Sequence, residues 1–228
     1  MKKRGEAEPT DIFDLIGPIM VGPSSSHTAG AARIGYVARQ LLGEEPARAL
    51  LWLHGSFAAT GSGHGTDRAL VAGIMGMRPD DRRIPMSFEL AAEKGLDFEF
   101  FSEDMPFAHP NTVRLDLTGR GGARLRVTAA SVGGGRIEVR SLGDMELRFS
   151  ADKPTLIVQN EDRPGSVAEV SGLLAGLGIN IATFHVNRDA RGGRAIMVIE
   201  CDAPISGDTV QRIGAIPGIL KAVCINPD

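Results

Sequence analysis

Cysteine is scarce in this 228-residue chain, which contains Cys201 and Cys224 and no others. The two residues are far apart and lack C-x-x-C spacing, so a secreted disulfide framework is excluded and a reducing cytoplasm is expected. Two cysteines also cannot ligate a whole iron–sulfur cluster, which usually takes about four ligands, mostly cysteine. We therefore expect no metal site in this chain, and we interpret both thiols as small residues of the C-terminal core.

Signals of several common enzyme classes are also missing. The serine-rich segment lacks Gly-x-Ser-x-Gly, which excludes a hydrolase elbow, and no Gly-x-x-x-x-Gly-Lys-Ser/Thr stretch indicates a P-loop. None of the five lysines has the setting expected of a buried Schiff-base lysine, which argues against pyridoxal phosphate chemistry.

Long apolar runs and basic stripes are absent as well. The apolar stretch over residues 12–21 is interrupted by Asp, Gly and Pro, so neither a signal segment nor a membrane span is expected. The net charge is -3 with no basic stripe, which argues against nucleic-acid binding.

What remains is a globular composition, 43% hydrophobic and 23% charged, divided into two regions. Residues 1–150 are predicted to form the first domain, with helices at residues 12–16, 29–42 and 67–77 and a buried strand at residues 50–53. From residue 112 the hydrophobic period becomes two. That change predicts four antiparallel strands up to residue 149, joined by glycine turns.

Residues 154–228 have a cleaner pattern and are predicted to form a second domain. The predicted elements are strand 155–159, helix 166–177, strand 180–186, strand 195–200, helix 208–213 and strand 219–225. This βαββαβ order is that of a ferredoxin-like sandwich, whose free sheet edge favours pairing with a partner. The predicted fold class is therefore α+β, a mixed α/β domain followed by a ferredoxin-like βαββαβ domain.

The strongest motif is residues 22–30, Gly-Pro-Ser-Ser-Ser-His-Thr-Ala-Gly. It places the hydroxyls of Ser24, Ser25, Ser26 and Thr28 and the imidazole of His27 just before a helix predicted to start near Ala29. Free amides and a partial positive charge at a helix start can hold a carboxylate or phosphate. Helix capping is the plainer interpretation, but one serine suffices for a cap. We therefore favour an anion site.

Two further segments contain histidine. His64 lies in Gly61-Ser62-Gly63-His64-Gly65-Thr66-Asp67, where glycines allow close approach of a ligand and the imidazole can serve as general acid or base. The alternative is a surface loop in which Thr66 or Asp67 caps the next helix. The segment His109-Pro110-Asn111-Thr112 leads into the strand run and, alone, is typical of an ordinary turn.

Taken together, these residues resemble the beta subunit of bacterial iron–sulfur L-serine dehydratases. The resemblance rests on ordered motifs along nearly the whole chain. They are residues 13–18, residues 22–30, Gly55-Ser56-Phe57-Ala58, residues 63–67 and residues 109–112. The C-terminal region resembles an ACT domain whose first loop reads Asp162-Arg163-Pro164-Gly165.

The resemblance implies conversion of L-serine to pyruvate and ammonia with a 4Fe-4S cluster held by cysteines of an alpha subunit. It implies His64 as general base, with His27 as second choice, and Ser24, Ser25, Ser26 and Thr28 as contacts for the substrate carboxylate. Asn111 would contact the substrate or an effector, because this domain type also resembles a serine-binding domain of a phosphoglycerate dehydrogenase. The expected partners are the alpha subunit, L-serine and, through the ACT domain, a second copy of the chain.

The ACT resemblance implies an amino-acid effector site at the first strand–helix loop. The expected residues are Asn160, Asp162, Gly165 and Asn180, and the alternative is a purely structural pairing module. A second functional hypothesis stays open, a non-catalytic subunit that senses serine and regulates an enzyme elsewhere. A stand-alone enzyme is disfavoured because the cluster ligands are missing.

Overall fold

The computed structural model describes residues 19–61 and 63–227. The helix predicted over residues 12–16, the resemblance at residues 13–18 and Ser62 of the glycine-rich loop lie outside the described residues. No helix in the described part of the chain is both long and apolar enough to cross a membrane.

The first described element is a π-helical turn, Ser25–Ala29, which runs directly into helix α1, Gly30–Leu42. The serine motif therefore forms the first turn of this helical segment, and the prediction that it precedes a helix starting at Ala29 is corrected by four residues. Ser24 is the capping residue, and its hydroxyl accepts from the amide of His27.

The elements of the N-terminal region that follow α1 are β1 (Pro46–Leu53), α2 (Gly55–Thr60), α3 (Thr66–Ile74), a 3-10 turn (Ile84–Met86), α4 (Ser87–Glu93), β2 (Asp97–Ser102), β3 (Thr112–Gly119), β4 (Arg124–Gly133), β5 (Arg136–Leu142) and β6 (Met145–Phe149). The six strands form one sheet in the order β2-β1-β3-β4-β5-β6. Strands β1 and β2 pair in parallel and the other neighbours are antiparallel.

Helices α1 and α3 cross in close contact. A Cβ atom on Gly73 would lie 2.0 Å from the carbonyl oxygen of Ala32, and one on Gly35 would lie 2.4 Å from the carbonyl oxygen of Leu70. Only glycine allows backbones to approach this closely. The crossing therefore fixes α3, which follows His64, against α1, which continues the serine motif.

The C-terminal region has the predicted βαββαβ order. Its elements are β7 (Thr155–Glu161), α5 (Ser166–Gly176), β8 (Ile181–Arg188), β9 (Arg194–Cys201), α6 (Gly207–Gly214) and β10 (Ile219–Ile225). The strands form a four-stranded sheet in the order β10-β7-β9-β8. Alternate residues of the strands, such as Leu156 and Met197, pack with Val170 of α5 and Ile213 of α6.

The opposite face of this sheet is buried against the N-terminal region. Its side chains, Ile157, Ile196, Val198 and Ile225, belong to the same hydrophobic cluster as the core of α1 and β1. The two sheets therefore share one core.

A polar contact joins the regions at the end of α1. The Nζ atom of Lys221 in β10 donates to the carbonyl oxygens of Leu41 and Leu42 at 3.0 and 3.1 Å. These carbonyls are among the last of the helix, where a cation is favoured. Burial lowers the pKa of Lys221, and the nearby Glu44 carboxylate partly offsets that effect.

Candidate active site

The serine motif leaves hydrogen-bonding capacity at the start of its helical segment. The amides of Thr28 and Ala29 donate to the carbonyl of Ser24, whereas no described residue accepts from the amides of Ser25 and Ser26. The Ser25 hydroxyl also has no hydrogen-bond partner among the described residues. Two free amides and a free hydroxyl at the positive end of a helix can bind a carboxylate.

The imidazole of His27 is held between serine hydroxyls. Its Nδ1 atom lies 3.1 Å from Ser26 Oγ and 3.5 Å from Ser24 Oγ, and its Nε2 atom lies 3.0 Å from Ser56 Oγ. A neutral imidazole has one donor and one acceptor nitrogen, and a hydroxyl can match either. The network therefore fits a neutral, oriented His27.

Burial and one neighbouring residue disfavour the charged form of this histidine. Burial is the main cause that lowers the pKa of His27, and the charge that His64 can carry lowers it further. A hydrogen bond with the backbone of Ser56 acts in the opposite direction and is the weakest of the three causes. The net effect is a lowered pKa, so burial and His64 together favour the neutral ring.

His64 lies beside His27 but has a different environment. The two ring centroids are 5.3 Å apart, and the His64 side chain is exposed. Its ring has no hydrogen-bond partner among the described residues, so either nitrogen is free to meet a ligand.

Thr28 holds the backbone of the His64 loop. Its hydroxyl donates to the carbonyl oxygen of His64 at 3.2 Å, and the residue is buried. The predicted contact between Thr28 and a substrate carboxylate stays a prediction, and in this structure the hydroxyl positions the His64 loop. Neither Thr66 nor Asp67 caps α3, because the capping residue is Gly65 and no side chain caps the helix.

Ser56 was not recognised as a site residue from the sequence, although it lies in one of the family motifs. Gly55 has φ of +55°, and a Cβ atom there would lie 2.7 Å from the carbonyl oxygen of Pro110. That carbonyl accepts from the Ser56 amide at 2.8 Å. The Gly-Ser pair directly after the buried strand β1 is the signal that could have identified this residue.

Asn111 directly precedes β3, and its side chain makes no hydrogen bond with a described residue. Its backbone amide donates to His109 Nδ1 at 3.1 Å, and its carbonyl accepts from the Ser131 amide at 3.0 Å. Ser131 in β4 is another residue that the sequence did not indicate. Its hydroxyl is buried without a partner, and it packs against Gly30 at the start of α1.

The described residues do not fit an iron–sulfur cluster. No group of three or more His, Cys, Asp and Glu side chains among them lies close enough to hold a metal ion. Cys201 in β9 and Cys224 in β10 are both in the C-terminal sheet, and burial raises the pKa of each thiol.

Three of the four predicted effector residues lie together. Asn160 is buried with its Oδ1 atom unpaired, and Gly165 starts α5 with φ of +95°. The Asp162 carboxylate accepts from the amide of Gly192 at 2.9 Å, and this bond, more than the neighbouring Arg188, lowers its pKa. Asn180 lies at the opposite end of the sheet, where its side chain donates to Asp202.

Comparison with known proteins matches both regions to described families. The family described as "Serine dehydratase beta chain" matches residues 11–94, and the family described as "ACT domain" matches residues 154–218.

Individual relatives extend the match over almost the whole chain. The protein named "Probable L-serine dehydratase, beta chain" of Bacillus subtilis is 42% identical over 94% of this chain and 97% of its own length. The "L-serine dehydratase, beta chain" of Peptoniphilus asaccharolyticus is 38% identical over 85% of this chain and 88% of its own length. A "D-3-phosphoglycerate dehydrogenase" of Bacillus subtilis is 23% identical over 86% of this chain and 37% of its own length. This chain therefore belongs to the family of L-serine dehydratase beta chains and carries an ACT domain at its C-terminal end.

Proposed function

We propose that this chain is the beta subunit of a cytoplasmic enzyme that deaminates L-serine to pyruvate and ammonia. The observation that carries the proposal is the pairing of a free, exposed His64 with the hydrogen-bonded His27 beside a helix start that has unpaired amides. This arrangement provides a base and an anion site at one place.

The helix start is the proposed seat of the serine carboxylate. The amides of Ser25 and Ser26 and the hydroxyl of Ser25 are the free donors, and the helix dipole favours a negative charge there. Ser24 and Ser26 orient this turn through their contacts with His27. Asn111 remains a proposed contact for substrate or effector because its side-chain amide has no hydrogen-bond partner among the described residues.

His64 is the proposed general base that accepts the proton from the α-carbon of serine. His27 has both ring nitrogens within hydrogen-bond distance of serine hydroxyls, so it would have to lose a partner to take a proton. His64 needs no such rearrangement. The neutral His27 also permits the positive charge that forms on His64, because two imidazolium rings at 5.3 Å would repel each other.

The 4Fe-4S cluster is proposed to be held by cysteines of the alpha subunit, where one iron would act as Lewis acid on the substrate hydroxyl. Within the C-terminal domain, Asn160, Asp162 and Gly165 are proposed to bind an amino-acid effector, and Asn180 to contribute only if a second copy brings it near. Self-pairing of the domain is proposed on the exposed apolar side chains of α5 and its C-terminal end, Val167 and Leu177.

Anaerobic reconstitution tests the function. The chain is combined with the alpha subunit, iron and sulfide, and pyruvate formed from L-serine is measured. Neither chain alone should form pyruvate, and the loaded complex should. Ser25→Ala should raise KM about tenfold or more, because a hydrogen bond to a charged carboxylate is lost. Ser171→Ala, on helix α5, is the matched control and should change nothing.

A second candidate is a non-catalytic subunit that senses serine. The alignment with a phosphoglycerate dehydrogenase over 86% of this chain favours it, because that relative is named for a different reaction. Serine binding by a loaded complex that never forms pyruvate would support this candidate and contradict the first.

A further inference from the structure

The loop between β2 and β3 carries the most exposed large apolar side chain of the described residues. Phe107 has a relative exposure of 105% and a backbone φ of +63°. Positive φ is unfavourable for a bulky residue, and such strained residues cluster at functional sites. In the isolated chain, the exposure of the phenyl ring to water and the positive φ of its backbone are both unfavourable.

Hydrogen bonds hold this loop on both sides of the ring. The amide of Glu103 donates to the carbonyl of Leu53 at 2.9 Å, and the amide of Met105 donates to His54 Nδ1 at 3.1 Å. On the other side, the Thr112 hydroxyl donates to the carbonyl of His109 at 2.7 Å. These hydrogen bonds fix the backbone of the loop, so Phe107 is exposed on a rigid segment.

A side-chain network fixes the base of the same loop. The Glu103 carboxylate accepts from Arg114 Nη1 at 2.9 Å, and the Arg114 guanidinium lies over the ring of Trp52 at 4.6 Å. Asp104 is the exposed charge of the loop, with 92% of its side chain accessible. The loop therefore has an apolar tip, Phe107, with the Asp104 carboxylate beside it. Such a loop is complementary to a pocket on a partner protein that is apolar inside and positively charged at its edge.

The loop borders the histidine site. Pro110 accepts from the Ser56 amide at 2.8 Å, and the Ser56 hydroxyl lies 3.0 Å from His27 Nε2. A partner that covers this loop thus lies near the contact between Ser56 and His27.

We propose that Phe107 is the anchor with which this chain docks the alpha subunit. The inference rests on the proposed function, because that function requires a second polypeptide to reach the site at this edge. Buried aromatic anchors on rigid elements dominate the affinity of many interfaces, since little conformational freedom is lost on binding. The occupant is the alpha subunit, because the loop contacts the histidine site through Pro110 and Ser56, and the proposed function needs the alpha subunit at that site.

The test measures affinity and turnover separately. Binding of the alpha subunit to the full chain is titrated by calorimetry, with Phe107→Ser and Phe107→Gly as variants. Both should weaken binding about 10- to 100-fold, as loss of an aromatic anchor does. Phe107→Gly suits the positive φ and should not lower the thermal midpoint of the chain alone, which separates docking from folding.

Leu220→Ser is the matched control, because Leu220 is an exposed apolar residue of β10 in the other domain. It should bind the alpha subunit like the unmodified chain. Asp104→Lys should also weaken binding, and added salt should reduce that difference. At saturating concentration the Phe107 variants should regain the full kcat.

Unchanged affinity of both Phe107 variants would overturn the proposal. So would loss of self-association, measured by sedimentation, without loss of alpha-subunit binding, since that result assigns Phe107 to a second copy. If the variants lose affinity but no complex forms pyruvate, the docking surface stands and the proposed function fails.

Discussion

His27 and His64 lie with their rings 5.3 Å apart, and only the His64 ring is without a hydrogen-bond partner among the described residues. This difference predicts different roles for the two histidines. The exposed ring can move a proton, and the bonded ring can hold the surrounding hydroxyls in place.

His64→Ala should therefore lower kcat by about 10²- to 10⁴-fold, the usual contribution of a general base. The side chain is exposed, so the free energy of unfolding should stay within about 0.5 kcal/mol of that of the unmodified chain. His185→Ala in strand β8 is the control, because that histidine is exposed in the C-terminal domain. Turnover of His64→Ala at the normal rate would remove the assignment.

The pKa of His27 gives a second prediction. Titration of the ring by NMR in the full chain should place its pKa below 6.5, mainly because the ring is partly buried. His64→Ala should raise this pKa by removing a neighbouring charge. A shift in the opposite direction would contradict the proposed electrostatic coupling.

The lowered pKa also predicts how stability depends on pH. The unfolded chain, with a histidine pKa of about 6.5, binds more protons than the folded chain between the two pKa values. The contribution of His27 to the free energy of unfolding is therefore fully present above pH 6.5 and is lost as pH falls through the folded pKa. Urea titrations at several pH values should show this loss, and His27→Asn should reduce it.

Helix glycines test the close crossing of α1 and α3. An alanine usually stabilises a helix by about 1 kcal/mol relative to glycine. Gly73→Ala should reverse this sign and destabilise the chain by about 1–3 kcal/mol, because its Cβ would overlap the carbonyl of Ala32. Gly172→Ala in α5 is the control, since no atom lies within 4 Å of its added Cβ. Urea unfolding should show opposite shifts for the two variants.

Lys221 provides a prediction on the contact between the two regions. Lys221→Met should lower the free energy of unfolding by about 1–2 kcal/mol, because the carbonyls of Leu41 and Leu42 lose a charged donor. Lys153→Met, in the exposed segment before β7, should have no effect. Equal free energies of unfolding for the two variants would show that the Lys221 ammonium makes no net contribution to stability.

The C-terminal fold could be predicted closely from the sequence because its apolar periods are strong. Strand β10 has the predicted bounds, Ile219–Ile225, and the other five elements differ by one or two residues. The elements over residues 84–102 are harder to predict from the sequence. Helix α4 has seven residues, and β2 is an edge strand whose side chains are mostly half-buried or exposed, so neither has a clear period.

The same limit applies to the site. The serine motif and His64 stand out locally, because too many polar side chains occur together for a simple cap. The contacts of Thr28 with the His64 carbonyl and of His27 with Ser56 join residues 36 and 29 positions apart. Only the packing of α1 against α3, and of the Ser56 turn against Pro110, brings these groups together, and no local pattern encodes it.

The shared core determines whether the two regions of this chain stay folded when they are separated. The inner face of the C-terminal sheet, with Ile157, Ile196, Val198 and Ile225, is buried only while the N-terminal region covers it. Cleavage before Thr155 would expose an apolar face on each fragment. Both fragments should therefore aggregate or unfold at a lower temperature than the intact chain. Heating the intact chain should instead give a single cooperative transition, in which the ACT domain and the N-terminal region unfold together.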